Sequence, residues 1–232
     1  MKKILVVGGA GYVGGVIVDL LLKKKYDVTV YDNLLYEESF RKDCKFIFGD
    51  IRENNFYKST LNNFDSIIWL AALVGDGACS INETITYEIN VNSIRDFIEF
   101  YDGDLIFIST CSVYGRSNGL LDENAEKNPQ SVYAKSKIIA EKILSKRQNT
   151  TVIRLGTLFG LSDLFSRIRL DLVVNILTLK AANKEKISVF GGEQYRPLLH
   201  VKDVSNAFIS GLEAPAQIIG GQSFNVGIQN GN

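Results

Sequence analysis

Short apolar segments rich in β-branched residues recur along the chain, and several of them run without polar alternation. Strands that are covered on both faces show such continuous apolar runs, whereas strands with one solvated face alternate. The pattern therefore predicts the buried strands of a parallel sheet. These predicted strands are residues 3–7, 27–31, 45–48, 66–70, 105–109, 151–155 and 223–226.

Helical periodicity fills the intervals between these strands. After the first strand, the apolar residues Val13, Val16, Ile17, Leu20 and Leu21 repeat at the spacing of one helix face. Further helices are predicted over residues 85–101, 132–146 and 202–212. Strands that alternate with helices form right-handed βαβ units, so we predict an α/β fold with a doubly wound parallel sheet.

A glycine-rich turn, residues 8–14 (Gly-Gly-Ala-Gly-Tyr-Val-Gly), connects the first predicted strand to the first helix. Gly11 leaves room for a pyrophosphate at the amino end of the helix, where free N–H groups and the helix dipole attract anions. Gly14 allows the helix to pack closely on the strand. Such a turn alone also occurs in proteins without a ligand, but its place between strand and helix favours a dinucleotide site.

An acidic residue, Asp32, closes the second strand 18 residues after Gly14. A carboxylate at this place binds the hydroxyls of an adenosine ribose and repels a 2′-phosphate, so we predict NAD rather than NADP. Asp32 followed by Asn33 is also good turn chemistry, and the dinucleotide interpretation rests on the agreement of loop, helix and acid.

Two further strand ends allow two interpretations each. Asp50, after the third strand, either bonds the adenine amino group or caps the next helix. Ala71 and Ala72, after the fourth strand, either let a cofactor pass close to the backbone or only fill the core.

Tyr133 and Lys137 lie four residues apart in a predicted helix and share one face. An ammonium beside a phenol favours the phenolate, so we expect a lowered pKa for Tyr133, which suits a general acid/base for a carbinol proton. A surface pair with this spacing is common by chance. Thr110, at the carboxyl end of the fifth strand, faces the crevice expected to hold the cofactor, and with it the pair predicts a site for oxidation and reduction.

Together these motifs resemble the extended short-chain dehydrogenase/reductases, in particular the nucleotide-sugar epimerase/dehydratase family. The resemblance runs from Met1 to about Gly227 and includes residues 90–93 (Asn-Val-Asn-Ser) and 196–204 (Arg-Pro-Leu-Leu-His-Val-Lys-Asp-Val). It implies that Thr110 orients a sugar hydroxyl whose proton Tyr133 shuttles. It also implies that Asn90 supports the site or the cofactor and that Arg196 grips the nucleotide diphosphate.

The resemblance and the motifs together give the expected binding residues. For the cofactor these are Gly8, Gly11, Tyr12, Val13, Gly14, Asp32, Asn33, Asp50, Ile51, Leu70, Ala71, Ala72, Asn90, Tyr133 and Lys137. For the substrate they are Thr110, Arg169, Asn175 and Arg196. Cys111 and Ser112 stand where the family's 4,6-dehydratases carry an acid, which argues against elimination of water. Residues 160–175 resemble a branch that acts at C4 of the sugar.

We therefore predict an NAD-dependent nucleotide-sugar epimerase, in which a transient 4-keto sugar is formed at C4 and reduced again from the opposite face. Net oxidation or reduction at C4 by the same residues is an alternative. A non-catalytic NAD-binding regulatory module is another, against which the intact Thr110, Tyr133 and Lys137 argue.

The organisation expected from this resemblance is one NAD-binding Rossmann domain over residues 1–232, with residues 160–199 as a partial, small substrate-binding insertion. The C-terminal part of the substrate lobe is expected to be absent, since relatives continue beyond the last strand. Tight NAD binding, weak sugar-nucleotide binding and little or no turnover are then expected, unless a partner subunit closes the cleft. A homodimer is expected through the helices at 85–101 and 132–146, with apolar material from Ile89, Phe97, Ile138 and Ile139.

Composition argues against nucleic acid, a membrane or a metal ion as a partner of the chain. Lysine plus arginine equals aspartate plus glutamate at 26 each, so no overall charge favours nucleic acid or an anionic membrane. The apolar run near the amino terminus is too short for a signal sequence or a membrane span, and the three cysteines lack metal-ligand spacing, as in a cytoplasmic protein with reduced thiols. The single histidine, His200, predicts a structural role and no metal site.

Overall fold

The central element is a parallel sheet of seven strands in the order β3-β2-β1-β4-β5-β6-β9, within the residues that the structure describes. That structure is a computed structural model, and it describes residues 1–53, 55–117, 119–166, 168–189, 191–192 and 195–227, with residues 55–57 in their backbone only. The strands are β1 (Lys3–Val7), β2 (Asp27–Asp32), β3 (Lys45–Phe48), β4 (Ser66–Trp69), β5 (Asp104–Thr110), β6 (Thr150–Leu155) and β9 (Ser223–Val226). Strand β1 pairs with β2 on one side and with β4 on the other. The strand order therefore reverses between β1 and β4, where α/β folds open a crevice for ligands.

Helices cover both faces of this sheet. They are α1 (Tyr12–Lys23), α2 (Asn55–Thr60), α3 (Asp76–Ile81), α4 (Glu83–Tyr87), α5 (Ser93–Phe97), α6 (Val132–Leu144), α7 (Val173–Ala182), α8 (Val201–Glu213) and α9 (Ala216–Ile219). None of the helices in the described ranges is both long enough and apolar enough to cross a membrane.

Two apolar layers explain why the central strands are continuously apolar. On one face of the sheet, Ile17 of α1 and Phe208 of α8 pack against the strands, and on the other Phe97 of α5 and Leu144 of α6 do so. Residues 4–6 of β1 are fully buried because both of these layers cover them. The predicted α/β fold with a doubly wound Rossmann sheet is confirmed, and the strand bounds agree with the prediction to within one residue.

One predicted helix, residues 85–101, takes a different form. Helix α4 runs into a π-helical segment, Glu88–Asn92, which continues into α5 and ends at Phe97. A π-helical turn carries one extra residue per turn, and such turns are frequent at functional sites. The extra residue rotates the side chains that follow it relative to those of a regular helix. The regular helix predicted over residues 85–101 did not include this rotation.

The apolar material expected for a dimer is partly used within the chain. Phe97 is fully buried and Ile138 is 8% exposed, so both belong to the core of the chain itself. Ile89 and Ile139 are half-buried. The expected homodimer stays a prediction, with Phe97 and Ile138 removed from its surface.

Residues 160–199 lie beside a second, two-stranded sheet, in which β7 (Thr157–Phe159) pairs in parallel with β8 (Leu198–His200). Helix α7 belongs to this segment and contains no buried residue among those described. His200 accepts a hydrogen bond from the backbone N–H of Lys202 through Nδ1 at 3.2 Å, and so caps helix α8. Its ring also lies edge-on to Phe159, in agreement with the predicted structural role.

Candidate active site

A cavity of about 530 Å³ opens at the carboxyl edge of the sheet. It lies where β1, β4 and β5 end, as expected for the point at which the strand order reverses. The predicted site residues that line it are Gly8, Gly11, Tyr12, Val13, Gly14, Asp32, Asn33, Asp50, Ile51, Leu70, Ala71, Ala72, Thr110, Tyr133, Lys137, Arg169 and Arg196. The fold thus brings together residues from the whole length of the chain.

The glycine loop lies at the floor of this cavity, and glycine is required at its positions for different physical reasons. Gly8 has a φ of +83°, and a Cβ atom there would lie 2.5 Å from the backbone nitrogen of Ala71. A Cβ atom at Gly14 would lie 2.5 Å from the carbonyl oxygen of Gly8. At Gly11 the nearest atom would be 3.6 Å away, so packing within the chain does not require glycine there. Its missing side chain instead keeps the cavity open at the start of α1.

Helix α1 presents its amino end to the same space. Gly11 is its N-cap and makes no side-chain capping bond, and its first turn contains no acidic residue. The first N–H groups of the helix and the positive end of its dipole therefore face the cavity with no acidic residue in the first turn itself, which suits an anionic group.

Asp32 ends β2 at the rim of the cavity. Its carboxylate accepts hydrogen bonds from the backbone N–H groups of Ala10 at 3.0 Å and of Leu34 at 2.9 Å. Burial raises the pKa of Asp32, and these backbone donors oppose the rise. The carboxylate is therefore held in place by the glycine loop and by the turn that follows β2.

Asp50 lies beside Asp32 in the cavity wall. The Arg52 guanidinium donates two hydrogen bonds to its carboxylate, at 2.9 and 2.7 Å, and Asn33 donates a third at 3.2 Å. The bond with Arg52 lowers the pKa of Asp50 to about 2. Asp50 also accepts the backbone N–H of Arg52 at 2.9 Å, which forms a local turn, and helix α2 begins only at Asn55. Of the two interpretations of Asp50, capping of the next helix is wrong.

The proton-transfer residues come from β5 and α6. Thr110 is the last residue of β5, and its hydroxyl accepts the backbone N–H of Ser112 at 3.2 Å. The Lys137 ammonium donates to the carbonyl oxygen of Ile108 at 2.9 Å and lies 4.5 Å from the centre of the Phe107 ring. Thr110, Tyr133 and Lys137 thus line one end of the cavity together.

The expected lowering of the Tyr133 pKa is wrong for the structure. Burial raises the pKa of Tyr133, as do the charges of Cys79, Cys111 and Asp76, while Arg169 opposes the rise. Burial also lowers the pKa of Lys137, to about 7. Desolvation is the largest cause of both shifts, and it disfavours the charged form of each side chain.

Asn90 is buried and stands behind the cavity wall rather than in it. Its side-chain oxygen accepts the backbone N–H of Leu73 at 2.8 Å, and its NH₂ group donates to the Leu73 carbonyl oxygen at 2.9 Å and to the Ser136 hydroxyl at 3.0 Å. Asn90 therefore joins the loop after β4 to the helix that carries Tyr133 and Lys137. The support of the site or the cofactor that the resemblance implies for Asn90 stays a prediction.

The predicted substrate residues fall in different places. Arg169 lines the cavity, and its guanidinium is held by Asp171 through hydrogen bonds of 2.6 and 2.5 Å. Arg196 is exposed at the rim. Asn175 is not among the described residues that line the cavity. Its amide oxygen accepts the N–H of Gly160 at 2.8 Å, and its NH₂ group donates to the carbonyl oxygen of Arg169 at 2.9 Å.

Several residues near Tyr133 were not predicted. Asp76 and Asp171 line the cavity, and Cys79 lies fully buried beside it. The run Val74-Gly75-Asp76, in the segment that follows β4 and separated from its end by four residues, was the available signal, because residues that follow a parallel strand face the crevice. Within the described ranges, no three histidine, cysteine or acidic side chains are grouped in a way that could hold a metal ion.

Comparison with known proteins agrees with this geometry. The model of the NAD dependent epimerase/dehydratase family matches residues 4–227. UDP-glucose 4-epimerase from Halalkalibacterium halodurans is 29% identical, over 97% of this chain and 75% of its own length.

Solved structures show the same similarity. Pal from Bacillus thuringiensis is 28% identical with a TM-score of 0.86, over 97% of this chain and 78% of its own. UDP-glucose 4-epimerase from Thermotoga maritima, solved with UDP-glucose, is 25% identical with a TM-score of 0.84, over 97% of this chain and 77% of its own.

Proposed function

Because the chain belongs to the NAD-dependent epimerase/dehydratase family, we propose that it epimerises a nucleotide-linked hexose at C4 with NAD as its cofactor. One observation carries the proposal: Thr110, Tyr133 and Lys137 line the same cavity as the glycine loop and Asp32. Two of the similar proteins are UDP-glucose 4-epimerases, which favours a UDP-hexose as the substrate.

The residues of the cavity fit a dinucleotide. The open position at Gly11 and the uncapped amino end of α1 suit its pyrophosphate, and the Asp32 carboxylate suits the hydroxyls of its adenosine ribose. Asp32 also disfavours a 2′-phosphate, so we expect NAD to bind more tightly than NADP. When bound, NAD supplies the acceptor and donor of hydride at C4.

In this proposal the chain's own side chains move one proton. Tyr133, whose pKa is raised, is the proton reservoir for the 4-hydroxyl. Thr110 holds the same hydroxyl by a hydrogen bond. Tyr133 takes the proton of the 4-hydroxyl in its phenolate form and returns it from its phenol form. The Lys137 ammonium stabilises the phenolate form, and with a pKa of about 7 its charge is sensitive to pH near neutrality.

The substrate side of the cavity supports epimerisation over dehydration. In the resemblance, the acid of the 4,6-dehydratases stands directly after the threonine, and here those positions hold Cys111 and Ser112. The carboxylates of Asp76 and Asp171, which also line the cavity, lie on other segments. Arg169 is already paired with Asp171, whereas Arg196 stands exposed at the rim. We therefore assign the nucleotide diphosphate to Arg196, with a guanidinium fork that matches phosphate oxygens.

The test is to incubate the purified chain with NAD or NADP and with UDP-, GDP-, CDP- and dTDP-hexoses, and to follow the products by NMR. We expect conversion of UDP-glucose to UDP-galactose with catalytic amounts of NAD. In D₂O the product should carry no deuterium at C4, because the hydrogen that leaves this carbon is the one returned to it.

Other outcomes identify other reactions. Consumption of NAD in proportion to product would make the protein a 4-dehydrogenase, and loss of water from the sugar would make it a dehydratase. Equal or tighter binding of NADP than of NAD in calorimetric titrations would contradict the assignment of Asp32. NAD binding with no conversion of any sugar nucleotide would contradict the epimerase proposal.

A further inference from the structure

Helix α6 carries two buried charged residues one turn apart. Lys137 is 1% exposed and Glu141 is 6% exposed. A spacing of four residues places both on the face of α6 that packs on β5. Lys137 donates to the carbonyl oxygen of Ile108 at 2.9 Å, and Glu141 accepts from the hydroxyl of Ser109, the next residue of β5, at 2.5 Å.

A buried ammonium needs compensation. In the described part of the chain, the hydrogen bond from Lys137 goes to a neutral carbonyl and its other close contact is the Phe107 ring. Burial favours the neutral amine, and Glu141, followed by Cys79 of α3, opposes this effect. The other titratable groups that line this end of the cavity are Tyr133 of α6, Cys111 after β5, Asp76 of α3 and Arg169.

Glu141 is itself compensated from a different strand. The Arg154 guanidinium of β6 donates to its two oxygens, through Nε at 3.1 Å and through Nη2 at 2.7 Å. The Arg154 side chain is 4% exposed and also donates to the Tyr114 hydroxyl at 2.8 Å. The pair is neutral as a whole, and its carboxylate, one helical turn from Lys137, is the member that favours the ammonium. Neither member lines the cavity among the described residues.

We propose that Glu141 is a positioning residue that keeps Lys137 charged beside Tyr133. Glu141 also holds the turn of α6 on which it lies against β5. A merely structural ion pair would stabilise the fold and leave the charge of Lys137 unchanged. The consequence for catalysis rests on the proposed function, because the charge of Lys137 matters there through Tyr133. The charge itself can be measured without turnover.

The first experiment titrates Lys137 directly, by NMR of protein carrying ¹³C at the lysine ε-carbons, with the signal assigned from a Lys137→Arg variant. In the parent protein the midpoint should lie near pH 7, following the pKa of about 7. In Glu141→Gln, which keeps the shape and loses the charge, it should fall by about one pH unit or more. Ser109→Ala, which removes a hydrogen bond without changing charge, and Glu126→Gln, on the exposed surface, should leave the midpoint unchanged.

Glu141→Gln leaves Arg154 buried without its partner and can fail to fold for that reason alone. The double variant Glu141→Gln/Arg154→Gln removes both charges together and replaces the single variant in that case. An unchanged Lys137 midpoint in folded Glu141→Gln overturns the proposal. So does an equal midpoint in the double variant and in Arg154→Gln, because that comparison isolates the Glu141 charge. A conservative Glu141→Asp variant should restore most of the parent midpoint.

The second experiment compares the pH profile of kcat/KM for the sugar nucleotide that the parent turns over. Its alkaline limb should move to lower pH in Glu141→Gln, since the ammonium is then lost earlier as pH rises. A shifted NMR midpoint with an unshifted profile supports the charge assignment and counts against the proposed use of Lys137. The two experiments thereby distinguish a failure of the proposed role of Glu141 from a failure of the proposed function.

Discussion

Residues 1–159 and residues 160–199 both border the cavity, and they are built in different ways. In the first region, residues 4–6 of β1 are fully buried. Its loop at Gly8 and Gly14 leaves no room for a Cβ atom between backbone segments. In the second region, α7 has no buried residue among those described, and Leu164 and Tyr195 are 90% and 91% exposed.

Polar contacts join the second region to the first, beside the apolar packing of Leu172 on the cluster of Tyr12, Val16 and Val201 and the burial of Leu199 in the core. Tyr12 donates its hydroxyl to the carbonyl oxygen of Gly160 at 2.7 Å, and Ser162 donates to the carbonyl oxygen of Tyr12 at 2.5 Å. Asp163 forms a buried ion pair with Lys42. Apolar packing is spread over many residues, whereas these contacts are few and local. Substitutions should therefore act on the whole fold in residues 1–159 and locally in residues 160–199.

The largest expected effect belongs to catalysis. Tyr133→Phe should lower kcat by about 10²- to 10⁴-fold, because the ring still packs and the carrier of the proton is lost. The melting temperature and the NAD affinity should change little. Tyr195→Phe, the same substitution at an exposed position of the second region, should change neither rate nor stability. A Tyr133→Phe variant that works at the parent rate would remove Tyr133 from the mechanism.

The next effect is on the fold of the nucleotide-binding region. In Gly14→Ala the new Cβ atom would meet the Gly8 carbonyl oxygen at 2.5 Å and the Cα of Gly9 at 2.6 Å. Because backbone atoms cannot move aside cheaply, we expect a loss of about 3 kcal/mol in the free energy of unfolding, together with weaker NAD binding. Urea unfolding and calorimetry measure the two. Gly77→Ala, in α3 with no atom within 4 Å of the new Cβ, is the matched control and should not destabilise.

A smaller effect is expected at the ion pair that joins the two regions. Asp163 accepts the backbone N–H groups of Ser166 at 2.6 Å and of Phe165 at 2.8 Å, and its side chain is 3% exposed. Burial raises the pKa of Asp163, but the Lys42 ammonium and these donors outweigh it and leave the pKa below its ordinary value. A carboxyl with a lowered folded pKa stabilises the fold above its unfolded pKa, and this contribution is lost as pH falls through the folded pKa.

Asp163→Asn should therefore cost about 1–3 kcal/mol at pH 7, and the deficit should shrink as pH falls below about 4. Urea unfolding of parent and variant at several pH values measures this. Asp19→Asn removes the exposed partner of the same lysine, at 54% side-chain exposure, and should cost less. A deficit that stays constant down to acid pH would show that Asp163 acts through its hydrogen bonds alone.

Local sequence patterns predicted the strands and the glycine loop because these depend on neighbouring residues. Continuous apolar runs indicate strands buried on two faces, and the glycines of residues 8–14 predict the turn from β1 to α1. The π-helical segment Glu88–Asn92 was not predicted, because the apolar positions of residues 85–101 were assigned to one regular helix, without the shift that an extra residue in one turn makes in the repeat.

The interior charges were harder to predict. Glu141 lies in a helix with an ordinary mixture of polar and apolar residues, and its partner Arg154 is 13 residues further along the chain, on β6. Their contact depends on how α6 packs on the sheet. The same packing reverses the expected pKa shift of Tyr133, because helical spacing places Lys137 nearby but does not report how dry the surroundings are.

The smallest effect gives the sharpest comparison of the two regions, because one substitution can be made in both. Leu164→Ala removes a side chain that is 90% exposed, so the free energy of unfolding should change by less than about 0.5 kcal/mol. Leu21→Ala removes a fully buried side chain from the core beneath α1, and should cost about 2–5 kcal/mol. Unfolding in urea at two protein concentrations tests both. A cost at Leu164 above about 1 kcal/mol that grows with protein concentration would mean that this residue is covered in solution by a second copy, and the contrast between the regions would then hold only for the isolated chain.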